Sequence, residues 1–169
     1  LPDAVLNMKT FLQKTKPNDA IDKQLIHKKY FVSAGRLTKQ KNFHYLIKEF
    51  GEFLKYDQSY NLLIFGEGEL KKSLFSLIGK NNLTDKVFLM GYTKNLFYYI
   101  KKSEAFILSS LWEEPGFVLV EAAMCNAYII SSDCYNGPSE FLNGGNSGTL
   151  FKNNEKNALF QALTHFDSN

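Results

Sequence analysis

Six short apolar runs, each followed by a segment with helical spacing, constrain this chain more than any other feature. The runs fall at 30–34, 61–65, 87–90, 105–109, 128–131 and 149–151. The segments between and after them are 43–56, 69–78, 95–102, 118–125, 138–143 and 154–166. In 43–56 the apolar residues Phe43, Leu46, Ile47, Phe50, Phe53 and Leu54 recur at the spacing of one helix face. Short apolar strands alternating with helices predict an α/β fold with a doubly wound parallel sheet. Six such units in about 140 residues suit one Rossmann-like lobe. Residues 1–29 are polar and lysine-rich, with a turn at Pro17-Asn18-Asp19, and read as a connecting segment ahead of a domain spanning 30–169.

Composition removes several function classes. A net charge of +3 is too mild for a nucleic-acid binder, and no apolar run approaches the roughly 20 residues of a membrane span. The start of the chain has neither a signal-peptide pattern nor an initiator Met, so a longer polypeptide is expected. Cys125 and Cys134 show no metal-ligand spacing and read as reduced core residues of a cytoplasmic protein. Arg36 is the only arginine among 20 basic residues. Lysine cannot copy the planar two-pronged grip of arginine on a phosphate, which singles that position out.

The chemistry-bearing residues sit where the strands are expected to end. In open parallel sheets, ligands bind beyond the carboxyl ends of the strands, next to helix N-termini. Gly35-Arg36 follows the first run and Lys41 precedes its helix; the glycine lets the backbone bend, and the two cations suit a diphosphate, although a solvated loop is the usual fate of such residues. Gly66-Glu67-Gly68 follows the second run without completing a dinucleotide fingerprint, because position 71 is Lys. Gly91-Tyr92 follows the third and offers a backbone edge and a ring for a base. Ser109–Glu121 then carries Glu113 on a loop before Pro115-Gly116, and Glu121 inside the helix beyond. Eight residues of unbroken helix would set the two carboxylates roughly 80° apart; acids at a helix start also simply complement its dipole. Asn136-Gly137-Pro138 is turn chemistry ahead of one more helix. No Ser/His/Asp arrangement, phosphate-binding loop or metal cluster is present in the sequence.

Taken in order, Gly-Arg-Leu-x3-Lys-Asn, Gly-x-Gly, Glu-x7-Glu-Ala and Asn-Gly-Pro-x-Glu resemble the C-terminal lobe of family-4 retaining glycosyltransferases, which have the two-lobe GT-B fold. The resemblance covers residues 30–166. Ser131, Asp133 and Cys134 with Gly137, Pro138 and Glu140 look like the branch that builds bacterial surface polysaccharides, lipopolysaccharide and lipid-linked oligosaccharides. It implies that Arg36 and Lys41 hold the donor diphosphate, Glu121 the ribose, and Glu113 a place beside the transferred sugar. It further implies that the amides of Phe117 and Val118, after Gly116, face phosphate and sugar, and that Gly91 and Tyr92 pack the base. The chain departs from the family pattern at Glu114, where a small residue is usual.

The activity implied is transfer of a hexose or N-acetylhexosamine from a UDP-sugar or other nucleotide-diphosphate sugar, without a metal or other cofactor. The acceptor would be a glycan or a lipid-linked sugar reached through an N-terminal lobe. A cytoplasmic location follows, with possible peripheral contact at the inner membrane face, and no nucleic-acid partner. Two other readings share the sheet: a non-hydrolysing nucleotide-sugar epimerase lobe, for which no acid–base pair is in place, and a non-catalytic nucleotide-sugar-binding module.

Overall fold

The computed structural model describes residues 28–114 and 116–167, so the connecting segment expected at 1–29 lies almost wholly outside the described residues. Six strands form one sheet: β1 (Tyr30–Ala34), β2 (Asn61–Phe65), β3 (Val87–Gly91), β4 (Ala105–Leu108), β5 (Ile129–Ser132) and β6 (Thr149–Phe151). Their order is β3-β2-β1-β4-β5-β6 and every pairing is parallel. This is a doubly wound α/β sheet whose winding reverses between β1 and β4.

Six helices cover the two faces: α1 (Phe43–Phe53), α2 (Lys71–Lys80), α3 (Leu96–Lys102), α4 (Phe117–Met124), α5 (Pro138–Phe141) and α6 (Ala158–Asp167). Alternate residues of each strand face opposite layers. Phe31, Leu62, Ile64 and Ile107 pack with the buried stripe of α1 and with α2 and α6, whereas Tyr30, Val32, Leu63 and Phe106 pack with α3 and α4. Phe31 is the hub of the first layer, stacked on Tyr60 at 4.7 Å and edge-on to Phe53 at 5.9 Å and Phe166 at 5.8 Å. Both cysteines are buried and unpaired with each other, and burial pushes the Cys125 thiol up to about 11.

The helices begin and end a few residues away from the periodic segments, for local reasons. Residues 67–70 are held against the loop after β1, by Leu37 N–H to Glu67 O at 2.9 Å and Leu70 N–H to Leu37 O at 3.0 Å, so α2 starts at Lys71 rather than 69. Asn154 and Asn157 take left-handed conformations, delaying α6 to Ala158. The buried carboxylate of Glu49, on α1, then accepts the N–H groups of Asn157 and Phe160 at 3.1 and 3.2 Å. That capping satisfies amides that a helix start leaves open, and ties the C-terminal helix to the first one.

Candidate functional site

The crevice where the winding reverses lies between the ends of β1 and β4, and most of the residues singled out in the sequence lie along this rim. Gly35 donates its N–H to Phe65 O at 3.0 Å, and Gly66 donates to Gly91 O at 2.9 Å, so the ends of β1, β2 and β3 are stitched together. Ala34, Gly35, Arg36, Phe65, Gly66, Glu67, Gly91, Tyr92, Thr93 and Leu96 line an open cleft of about 540 Å³, and the Glu67 carboxylate there is paired with Lys71 at 2.9 Å. Its walls are largely apolar or backbone, with the exposed Arg36 at the edge and Tyr92 presenting a ring that is 77% exposed. A flat heteroaromatic ring fits such a wall, and a guanidinium at the mouth suits an anion attached to it.

Next along the rim stands an ion pair between residues far apart in sequence. Lys41 Nζ lies 2.6 Å from Glu113 Oε1, with the lysine 14% and the glutamate 3% exposed. The methylenes of Lys41 fill the space where a Cβ at Gly35 would sit, which joins this pair to the cleft. Ser110, fully buried, donates its hydroxyl to the same Glu113 Oε1. Ser132 Oγ donates to Ser110 O at 2.7 Å, and Ser109 Oγ to Lys41 O at 2.8 Å. Gln40 braces the loop from the other side, accepting the Leu111 N–H at 2.7 Å and donating Nε2 to Trp112 O at 3.0 Å. Among the described residues both of these contacts to the carboxylate fall on Oε1.

Gly116 caps α4 in a left-handed conformation, φ 62°, without a side-chain cap. Leu119 N–H turns back to Gly116 O at 2.9 Å. Phe117 and Val118 begin the helix, where N–H groups have no intrahelical acceptor. The positive end of a helix dipole and such donors favour negative charge. Glu121 sits one turn further in, part-buried, on the same helix.

The expected residues thus form neighbouring groups with different partners. Arg36 lines the cleft with Gly91 and Tyr92, and Lys41 is engaged by Glu113. Sequence reading missed Ser110, Ser132 and Gln40. The signal available was the Ser109-Ser110 pair directly after an apolar run and three positions before Glu113. Cys134 lies within electrostatic reach of Glu113 and Lys41, and burial raises its thiol above the ordinary value, so it stays protonated. Among the described residues no group of three or more His, Cys, Asp or Glu is placed to hold a metal ion, and no helix is long and apolar enough to cross a membrane.

Residues 17–169 match the family described as glycosyl transferases group 1. Over 144 residues the chain is 35% identical to N-acetylgalactosamine-N,N'-diacetylbacillosaminyl-diphospho-undecaprenol 4-alpha-N-acetylgalactosaminyltransferase of Campylobacter jejuni, covering 85% of this chain and 39% of that protein. A solved structure of Staphylococcus aureus TarM, in complex with fondaparinux, alpha-GlcNAc-glycerol and UDP, superposes with a TM-score of 0.79 at 25% identity, over 84% of this chain and 29% of that one. The C-terminal domain of a glycosyl transferase group 1 protein (LpcC) from Francisella tularensis has the same fold, with a TM-score of 0.75 at 18% identity over 93% of this chain and 87% of that domain. The chain spans less than half the length of the curated relatives it matches. Its sheet is that of the C-terminal lobe of a GT-B glycosyltransferase. The chain belongs to the glycosyl transferases group 1 family.

Proposed function

We propose that this chain is the donor-binding lobe of a retaining, family-4 glycosyltransferase. It moves a hexose or N-acetylhexosamine from a UDP-sugar or other nucleotide-diphosphate sugar to a glycan or lipid-linked acceptor, in surface-polysaccharide or lipopolysaccharide synthesis on the cytoplasmic side. The observation that carries this reading is the convergence on one strand rim of a ring-sized cleft with Arg36, the Lys41–Glu113 pair and the open amides of α4. The UDP in the TarM complex supports it.

Retention requires the bond from the anomeric carbon to the diphosphate to loosen while the new bond forms on the same face. Arg36, Lys41 and the amides of Phe117 and Val118 stabilise the charge that collects on the departing phosphate, and they do so without a metal. Gly91 and Tyr92 pack the base, Gly35 and Gly66 let the backbone approach the ligand, and Glu121 holds the ribose. Glu113 presents Oε2 to the sugar as its ring gains positive character. The acceptor comes from the N-terminal lobe of the whole enzyme. Calorimetry on the chain should therefore show UDP binding, weakened about ten- to a hundredfold by Arg36→Ala, with no sugar transfer by the chain alone. Equal affinity in the Arg36→Ala variant would refute the donor site.

The two glutamates should separate in kinetics of the full-length enzyme. The ribose is unchanged by reaction, so Glu121→Gln weakens ground and transition states alike and raises the donor KM with little effect on kcat. Glu113→Gln acts where charge develops and lowers kcat by about ten- to a hundredfold, leaving donor affinity near normal. Loss of kcat in Glu121→Gln with donor binding intact would reverse these roles.

A further inference from the structure

A second cleft opens on the same rim, on the other half of the sheet. It measures about 890 Å³ and lies between the start of α4 and the loop that leads from β5 into α5. Its lining differs in kind from that of the first cleft. Tyr135, 79% exposed, and Phe141, 39% exposed, supply ring surface, while Asn136, Ser139, Asp133 and Glu140 supply hydroxyl-binding groups. No lysine or arginine lines it, whereas at the first cleft Arg36 stands beside a single carboxylate, Glu67, that Lys71 already pairs.

The electrostatics sort the ligands. Two carboxylates without a cation repel a diphosphate, and they accept hydrogen bonds from neutral hydroxyl groups. Exposed rings beside such acceptors suit the apolar C–H face of a pyranose, which is hydrophobic on its flat side and polar at its edge. One carboxylate oxygen of Asp133 is already fixed by Asn153 N–H at 2.6 Å, which orients the group and leaves its other oxygen available.

Position ties this cleft to the reacting centre. The cleft ends at Gly116, where a Cβ would lie 3.8 Å from that of Glu113. Tyr135 pairs with Trp112 in a parallel bridge, and its carbonyl accepts the Glu113 N–H at 3.1 Å. A donor anion running from the β1–β3 cleft to the amides of α4 stops at that boundary. What lies beyond is open to the second substrate.

Building on the glycosyltransferase reading, we propose that the cleft between α4 and the β5–α5 loop binds neutral saccharide units of the acceptor, so that this lobe recognises both substrates. The test is a titration of the isotopically labelled chain, followed by backbone amide NMR, with UDP, UDP-N-acetylglucosamine, N,N'-diacetylchitobiose and maltose. UDP should move the amides of Arg36, Gly66 and Gly91, and at least one disaccharide should move those of Tyr135, Asn136, Ser139 and Phe141, alone and on top of UDP. Tyr135→Ala, at an exposed ring, should weaken that disaccharide about tenfold and leave UDP affinity unchanged. If UDP moves the first cleft and neither disaccharide moves the second, this inference falls and the donor site stands. If UDP-N-acetylglucosamine reaches Tyr135 and Asn136 while the free disaccharides do not, the cleft belongs to the donor sugar and the acceptor assignment is wrong. If no ligand moves either cleft, both readings fall together.

Discussion

Lys41→Met is expected to destabilise the folded chain by about 3–5 kcal/mol, because it strands a buried carboxylate. Glu113 is 3% exposed and has two partners in the described structure, Lys41 Nζ at 2.6 Å and the Ser110 hydroxyl. Methionine keeps most of the lysine stem, and with it the packing against Gly35, so the change isolates the charge. One serine hydroxyl cannot replace a cation. Urea denaturation of both forms measures the loss. In the double variant Lys41→Met with Glu113→Gln no buried charge remains, and most of the stability should return, because a neutral amide can keep the Ser110 contact. A single-variant loss below about 1 kcal/mol would mean that the pair behaves as an exposed one, of the kind that contributes little.

Gly66→Ala should be at least as damaging, through sterics alone. A Cβ at Gly66 would stand 1.9 Å from the carbonyl oxygen of Gly35, and the residue has φ 137°, a region that L side chains rarely adopt. The collision cannot relax by moving one side chain, since both partners are backbone and both are pinned: Gly35 N–H to Phe65 O, Gly66 N–H to Gly91 O. The ends of β1, β2 and β3 must part to admit one methyl group, which places the cost at about 4 kcal/mol or more. Gly79→Ala is the matched control. Gly79 lies inside α2 with nothing within 4 Å of its would-be Cβ, so alanine there should stabilise by about 0.5–1 kcal/mol. Thermal melts of the two variants should therefore move in opposite directions. At this size each kcal/mol corresponds to roughly 2–4 °C. A Gly66→Ala protein that melts like the parent would show that the rim between β1 and β2 yields easily.

The fold was legible because the strands are apolar on both faces. Tyr30–Ala34, Asn61–Phe65 and Thr149–Phe151 begin and end where the apolar runs do, and β3 to β5 differ by a residue or so at one or both ends. Burial on both sides leaves no polar alternation inside a run, so its limits mark where the chain leaves the sheet. Glycines after the strands placed the rim in the same way. The helices were harder. The starts of α2 and α6 depend on hydrogen bonds from distant loops and on left-handed asparagines, and apolar periodicity does not register either. The site was half legible. Arg36, Lys41, Glu113 and Glu121 stand out by residue type and position. That Lys41 is held by Glu113 follows from a contact across 72 positions, which no local pattern encodes. Ser110 and Ser132 look like strand-end filler until their hydroxyls are seen holding the Glu113 loop.

The strand order also fixes when each edge of β1 finds its neighbour. β2 returns to one edge after a single helix, whereas β4 reaches the other across a gap of 74 positions, marked by Ser33 Oγ on Ile107 O at 2.6 Å. Contacts of that separation form late, because the loop must be closed before they repay it. A ribosome adds roughly 5–20 residues per second, so once β3 is complete at Gly91 the β1–β3 half waits about 1–3 seconds for Ala105, with a bare row of N–H and C=O groups along β1. Such an edge invites pairing with a neighbouring nascent chain. The crevice between the ends of β1 and β4 thus marks the seam that joins the two halves of the sheet across the widest gap in sequence, and it is the seam most exposed to misassembly while the chain is being made.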